Sequence, residues 1–258
     1  MPRQPRLKAP DTIFHITSRG NAQQTIFTCD NDRTLFLNLL QSVLHMRRWR
    51  CHAYCLMNNH YHMAVEVSED DLSEGMREIN HRYALLFNKT QGKSGHLFQD
   101  RFHSKIVSDD YYMMELSRYI VLNPVRASIV PAPQLWPWSS YSDLLSGTGI
   151  AEHGFVLSLF SDDCDSALAE YNEFISEATG ETFQWNEIRD YLFGAGKLPR
   201  PSLAAIFNGS KGRDIHIAEA RFLHGYKLRE IADFLSMSNA QIHRLAKSNR
   251  ELIWKEMR

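Results

Sequence analysis

The sequence predicts an α+β protein: a ferredoxin-like antiparallel sheet with helices on one face, followed by an α-helical C-terminal region. Three observations carry this reading. Hydrophobic periodicity alternates between two and 3.6 residues in the order β-α-β-β-α-β-α up to about residue 124. Two strand-like runs flank Asn58-Asn59, a hairpin signal. From residue 162 onward the pattern is helical.

The first run, "DTIFHITSRGN" (11–21), alternates Ile13, His15 and Thr17 with Phe14, Ile16 and Ser18, and ends at Gly20-Asn21. Residues 30–48 place Leu35, Phe36, Leu39, Leu40, Val43 and Leu44 at helical spacing, with Asp30 or Asn31 as candidate N-cap. Residues 50–57 and 60–67 form the hairpin, 71–90 a helix, 92–100 a loop and 101–107 a short strand. Residues 108–124 read as a helix with an acidic first turn, stopped by Pro124. Beyond it, residues 162–178, 186–193 and 213 to the end are helical, with Gly147, Gly149 and Gly154 marking a boundary. The organisation expected is 1–147 for the sheet-bearing domain, 148–207 for an acidic helical connection and 208–258 for a C-terminal helical unit.

At 258 residues the chain is long enough for a sizeable core. Charge is uneven: 16 Lys and Arg face 13 Asp and Glu over 1–130, 3 face 11 over 131–207, and 10 face 6 over 208–258. A nucleic acid would meet the basic ends, not the acidic middle. No run approaches the roughly 20 apolar residues of a membrane span, and "MPRQPRLKAP" has no apolar core of a secretory signal. The four cysteines do not form a disulfide framework. A cytoplasmic protein with reduced thiols and no membrane partner is expected.

"HYHMAVEV" (60–67) puts His60 and His62 on one face of a strand, with Ala64 and Glu66, while Tyr61, Met63, Val65 and Val67 face the core. Two imidazoles so placed are either surface side chains or metal ligands. A catalytic metal needs a third protein ligand and an open position. The candidate third ligand is Asn123, whose amide oxygen is a competent acceptor. Tyr119 lies at i, i+4 from it, on the same helical face.

"HITSRGNAQQTIF", "HAYCLMNNHYHMAVEV" and "RYIVLNPVRASIV", followed by "WPWSS", resemble the REP-associated tyrosine transposases, a branch of the single-tyrosine HUH transposase family. The resemblance spans residues 7–145. It implies the HUH nuclease fold, a divalent metal (Mg²⁺ or Mn²⁺) on His60, His62 and Asn123, and Tyr119 as nucleophile. It further implies cleavage and rejoining of single-stranded DNA beside small hairpins through a 5′-phosphotyrosine. Tyr61 is an aromatic variant where an apolar residue is usual, and Asn58 stands where proline is usual; neither departure removes a reacting group. An ordinary phenol loses its proton only near pH ~10, so the nucleophile must shed it in or near the transition state. Tyr111 and Tyr112 are rival nucleophiles further up the helix. The branch is usually monomeric, and the short connection at Ser108-Asp109 favours a helix docked in its own chain.

"LREIADFLSMSNAQIHRLAKS" (228–248) fits a helix-turn-helix. Ile231, Ala232, Leu235, Ile242 and Leu245 point inward, and Asn239, Gln241, His243, Arg244 and Lys247 outward. Those five, with Arg3, Arg6, Lys8 and Arg19, are the candidate DNA contacts. Two rival functions follow from the same residues. A non-catalytic DNA-binding regulator would use the helix-turn-helix but has no use for His60, His62, Tyr119 and Asn123. A metal-dependent hydrolase of small phosphoesters has no use for Tyr119 or the basic arm.

Overall fold

The computed structural model describes residues 11–69, 71–179, 202–209, 212–222, 226 and 228–249. Arg3, Arg6, Lys8 and the helix expected over 186–193 lie outside these residues. The described residues fall into two compact units, one holding 11–107 and 116–179 and the other holding 108–115 together with the C-terminal helices. Residues 164–177 thus belong with the sheet, and the first residues of the tyrosine-bearing helix belong with the C-terminal part.

In the first unit, strands β1 (Thr12–Arg19), β2 (Arg50–Leu56), β3 (His60–Val67) and β4 (His103–Ile106) form one sheet in the order β2-β3-β1-β4. Every neighbouring pair is antiparallel. Helices α1 (Asp30–Arg47) and α2 (Leu72–Gln91) cover one face, as the periodicity predicts. Their apolar stripes meet the inward residues of the strands, with Phe36, Leu40, Val43, Met76, Ile79 and Tyr83 packed in one core with Phe14, Ile16, Tyr61, Met63 and Val65. Burying each of these side chains is worth about 1.5–3 kcal/mol. Tyr61 stacks 4.8 Å from Phe36 and donates its hydroxyl to Asn80 Oδ1 at 2.8 Å, which accounts for an aromatic between the two histidines.

Two local expectations are corrected. The N-cap of α1 is Cys29, not Asp30 or Asn31; Asp32, the third residue of the helix, reaches back to accept from the backbone N–H of Thr28 at 2.7 Å. A carboxylate there satisfies free N–H groups and complements the helix dipole. Pro124 does not stop the helix. Helix α3 (Asp110–Val121) ends first, Leu122 departs from helical angles, and a further turn α4 (Asn123–Arg126) begins with Pro124 in its first positions. Proline suits a first helical turn, where its missing N–H has no acceptor to lose.

The "WPWSS" stretch closes the outer edge of the sheet. Trp138 accepts from Leu56 N at 2.9 Å, Ser140 Oγ from Tyr54 N at 3.1 Å, and Trp136 Nε1 donates to Leu56 O at 3.2 Å. Edge strand β2 is therefore covered. After it come α5 (Ser140–Ser146), α6 (Gly154–Ser158) and α7 (Cys164–Glu177).

The second unit has a small core of its own. Helices α8 (Leu203–Phe207), α9 (Arg213–Phe222), α10 (Leu228–Leu235) and α11 (Asn239–Ser248) bury Ile206, Ile217, Ile231, Ala232, Ile242 and Ala246 together. The turn between α10 and α11 puts Ser236 at φ 54°, the left-handed geometry that usually calls for glycine. No described helix is long and apolar enough to cross a membrane.

Where α2 approaches the end of α1, close packing requires a glycine. A Cβ on Gly75 would lie 2.2 Å from the ring of the buried Trp49, whose Nε1 is pinned to Asp71 at 2.8 Å. On an open helix Gly→Ala gains about 1 kcal/mol. Here overpacking of about 1–3 kcal/mol opposes it, so Gly75→Ala should lower stability by about 1 kcal/mol in urea unfolding. A raised midpoint would sink this account of the contact.

Candidate active site

The face of the sheet opposite α1 and α2 is set by strand parity. Pairing of β1 with β3 places Arg19 opposite His60, Thr17 opposite His62 and His15 opposite Ala64; β4 adds His103 beside Thr17 and Lys105 beside His15. Opposed residues share a face, so His60 and His62 sit in a row of polar residues. Their rings lie 5.1 Å apart.

Asn58 and Asn59, which join β2 to β3, are held from several sides. Asn58 O accepts from Ile26 N and Phe27 N, and its side chain accepts from Arg33 Nη2 at 2.6 Å. The Arg33 guanidinium lies over the rings of Trp136 and Trp138, at 5.4 and 5.7 Å. A proline at position 58 could not accept that bond. Asn59 Oδ1 in turn accepts from His60 Nδ1 at 2.7 Å, so the turn orients the first histidine.

With Nδ1 engaged as donor, the other nitrogen of a neutral His60 carries a lone pair. It points at Asn123 Oδ1, 3.4 Å away. Burial lowers the His60 pKa, only partly offset by Asn123, so the neutral form is favoured. Two acceptors then face each other across a gap, and Asn123 Nδ2 is buried with no partner among the described residues. A cation between the two acceptors resolves that conflict. The donor set, two imidazoles and an amide oxygen, suits Mn²⁺ or Mg²⁺. Among the described residues no group of three or more His, Cys, Asp or Glu could hold a metal.

His62 is buried, and burial first, then the charges of His15, His60 and Arg126, hold its pKa well below the usual imidazole value. Its Nδ1 lies 3.3 Å from Nε2 of the buried His15. Tyr119, on α3, stands edge-on to His62 with ring centroids 5.4 Å apart. The structure therefore brings His60, His62, Asn123 and Tyr119 together. Of the rival tyrosines, Tyr112 is buried in the second unit, and burial, then Asp109, pushes its phenol up. Arg19 is exposed at the edge of the histidine row, and its charge acts on His60.

The C-terminal candidates belong to the second unit. Asn239, His243, Arg244 and Lys247 are exposed on α11. Gln241 is engaged in the cap of that helix, accepting from Ser238 N at 3.1 Å. Sequence reading passed over His15 and Arg126. His15 shares its strand face with Thr17 and Arg19, and Arg126 lies seven residues beyond Tyr119; those offsets were the available signals.

Fold and cluster define a class: an antiparallel α+β domain whose open sheet face gathers two imidazoles, an amide and a helical tyrosine. Residues 8–123 match the family model described as "Transposase IS200 like". A solved REP-associated tyrosine transposase bound to a REP hairpin is similar over 60% of this chain and 93% of its own, at 22% identity and a TM-score of 0.49. No curated protein matches the chain.

The buried imidazoles make stability depend on pH. Burial, then Lys105, holds His15 down to about 3, and His60 and His62 are lowered as well. Each is neutral when folded and takes up a proton when unfolded below the ordinary pKa of about 6.5. The unfolded state then binds more protons, so stability falls as pH drops from about 6.5 toward 4. The slope should approach about 1.4 kcal/mol per pH unit for each fully suppressed histidine. His15→Gln should flatten the pH dependence of the urea midpoint; an unaltered slope would show that His15 does not contribute.

Proposed function

We propose that the chain cuts and rejoins single-stranded DNA beside hairpin-forming, REP-like palindromes, with Tyr119 as nucleophile and a divalent metal held by His60, His62 and Asn123. One observation carries the reading: the lone pairs of His60 Nε2 and Asn123 Oδ1 converge at 3.4 Å beside a tyrosine ring that stands edge-on to His62. With Nδ1 of His62 turned to His15, Nε2 is the nitrogen for a metal. Bound there, the ion supplies Lewis-acid stabilisation of the scissile phosphate.

The residues divide the remaining work. The Tyr119 oxygen attacks phosphorus, its bond to phosphorus forms as the P–O3′ bond breaks, and a free 3′-OH leaves. The phosphotyrosyl ester conserves the bond energy, so a second 3′-OH can reverse the step and join strands without a nucleotide cofactor. Arg19, Arg3, Arg6 and Lys8 contact phosphates, and α10–α11 act as a helix-turn-helix with Asn239, Gln241, His243, Arg244 and Lys247 toward DNA. The protein works in the cytoplasm as a monomer whose site is assembled in cis. A purely DNA-binding regulator is disfavoured, because it gives the buried cluster no task.

Incubation with Mn²⁺ and a labelled hairpin oligonucleotide should yield a denaturation-resistant protein–DNA band. Tyr119→Phe should abolish it with hairpin binding retained, and His60→Ala and His62→Ala should each slow it more than about 100-fold while weakening Mn²⁺ binding. A band that persists in Tyr119→Phe and disappears in Tyr112→Phe would transfer the nucleophile to Tyr112. Mixing Tyr119→Phe with the His60→Ala/His62→Ala double mutant should restore nothing; recovered cleavage would overturn assembly in cis.

A further inference from the structure

Tyr119, Asn123 and Arg126 recur at intervals of four and three along α3 and α4, and the structure puts all three on the site. The Arg126 guanidinium carbon lies 4.6 Å from the centroid of the Tyr119 ring. Arg126 is half-buried, while Tyr119 is only 7% exposed. The short turn that carries it is closed by Ala127 N bonding to Asn123 O at 3.0 Å, so the segment holding the amide also aims the arginine. A guanidinium seated over a ring is held there by the ring's negative face, and its N–H fork matches the geometry of a phosphate oxygen pair. Its charge also reaches His62, whose ring contacts the same tyrosine.

We propose that Arg126 is a catalytic residue of the strand-cutting step, holding the Tyr119 ring with its flat face and donating N–H groups to a non-bridging oxygen of the phosphate that Tyr119 attacks. This deepens the function proposed above and rests on it. Attack by a phenolic oxygen adds negative charge to the phosphoryl oxygens as the Oη–P bond forms and the P–O3′ bond breaks. The phenolic proton passes to solvent, and the departing 3′-oxygen takes one from solvent. Arg126 keeps all its protons throughout and supplies only charge and direction. The two imidazoles and the amide are neutral, and Arg126 is the cation seated on the ring of the nucleophile. Lysine at this position would keep the charge but lose both the stack and the fork.

The test is single-turnover formation of the covalent adduct by the full chain, with Mn²⁺ and hairpin oligonucleotides carrying a single Rp or Sp phosphorothioate at the scissile position. Arg126→Gln should slow adduct formation about 100-fold or more, leave hairpin affinity within about threefold, and erase the wild-type preference between the two diastereomers. Arg126→Lys should fall between, and added guanidinium should partly rescue Arg126→Ala. A structural role would not produce the diastereomer effect or the rescue. Arg126→Gln at near wild-type rate, or a slow Arg126→Gln with the diastereomer preference intact, would overturn the proposal while leaving the tyrosine mechanism standing. An adduct that survives Tyr119→Phe would bring down the underlying reading, and Arg126's role with it.

Discussion

The site depends on the pairing of β1 with β3. Register runs unbroken from Thr12 opposite Val67 to Arg19 opposite His60. A slip of one residue would turn His60 and His62 into the apolar core and expose Tyr61 and Met63. That slip is opposed from both faces: Tyr61 is wedged against Phe36 and bonded to Asn80, and Asn59 O accepts from Gly20 N where β1 ends. Arg33 then ties the β2–β3 turn to α1 and to the tryptophans that seal the sheet edge. Core packing and histidine placement are thus one constraint.

Much of this was legible in the sequence because it is local. Strand parity put the histidines on one face and turn chemistry marked the hairpin; the i, i+4 spacing named Tyr119 and Asn123, although the helix breaks at Leu122 between them. What could not be read is non-local. His15 meets His62 across 47 positions, and Arg33 meets Asn58 across 25. No periodicity encodes such pairs. The error at Pro124 had a different origin: proline ends a helix from inside but also opens one, and only the break at Leu122 decides between them. Gln241 looked outward by its spacing, which it is, but its oxygen is engaged by the helix cap. Spacing gives a side chain's direction and not its partner.

The electrostatics of the cluster run in one direction. His15, His60 and His62 are all pushed toward the neutral form, chiefly by burial. The charged groups acting on them are cations: Lys105 on His15, Arg19 on His60 and Arg126 on His62. Such a site repels protons on its imidazoles and favours an anion in front of them. Neutral imidazole lone pairs are what metal coordination requires, and a surrounding ring of cations is what a phosphodiester requires. The proposed function draws both on the same burial and the same three basic side chains.

These features bear on the order of events in the proposed reaction. Two imidazoles and an amide contribute no negative charge, so a divalent ion on them keeps its full charge in a partly desolvated place. The nearby cations make that worse. In the proposed reaction the missing countercharge would be the phosphate that Tyr119 attacks. On that reading metal and DNA would complete each other's binding site, and the coupling would be reciprocal by linkage. A carboxylate in place of Asn123 would hold the ion more tightly in the free protein. It would also repel the phosphate at the point where the phenolic oxygen must reach it. An amide gives up resting affinity for the ion in exchange for compatibility with the polyanion, which is the physical reason to find asparagine, and not aspartate, one helical turn beyond the tyrosine.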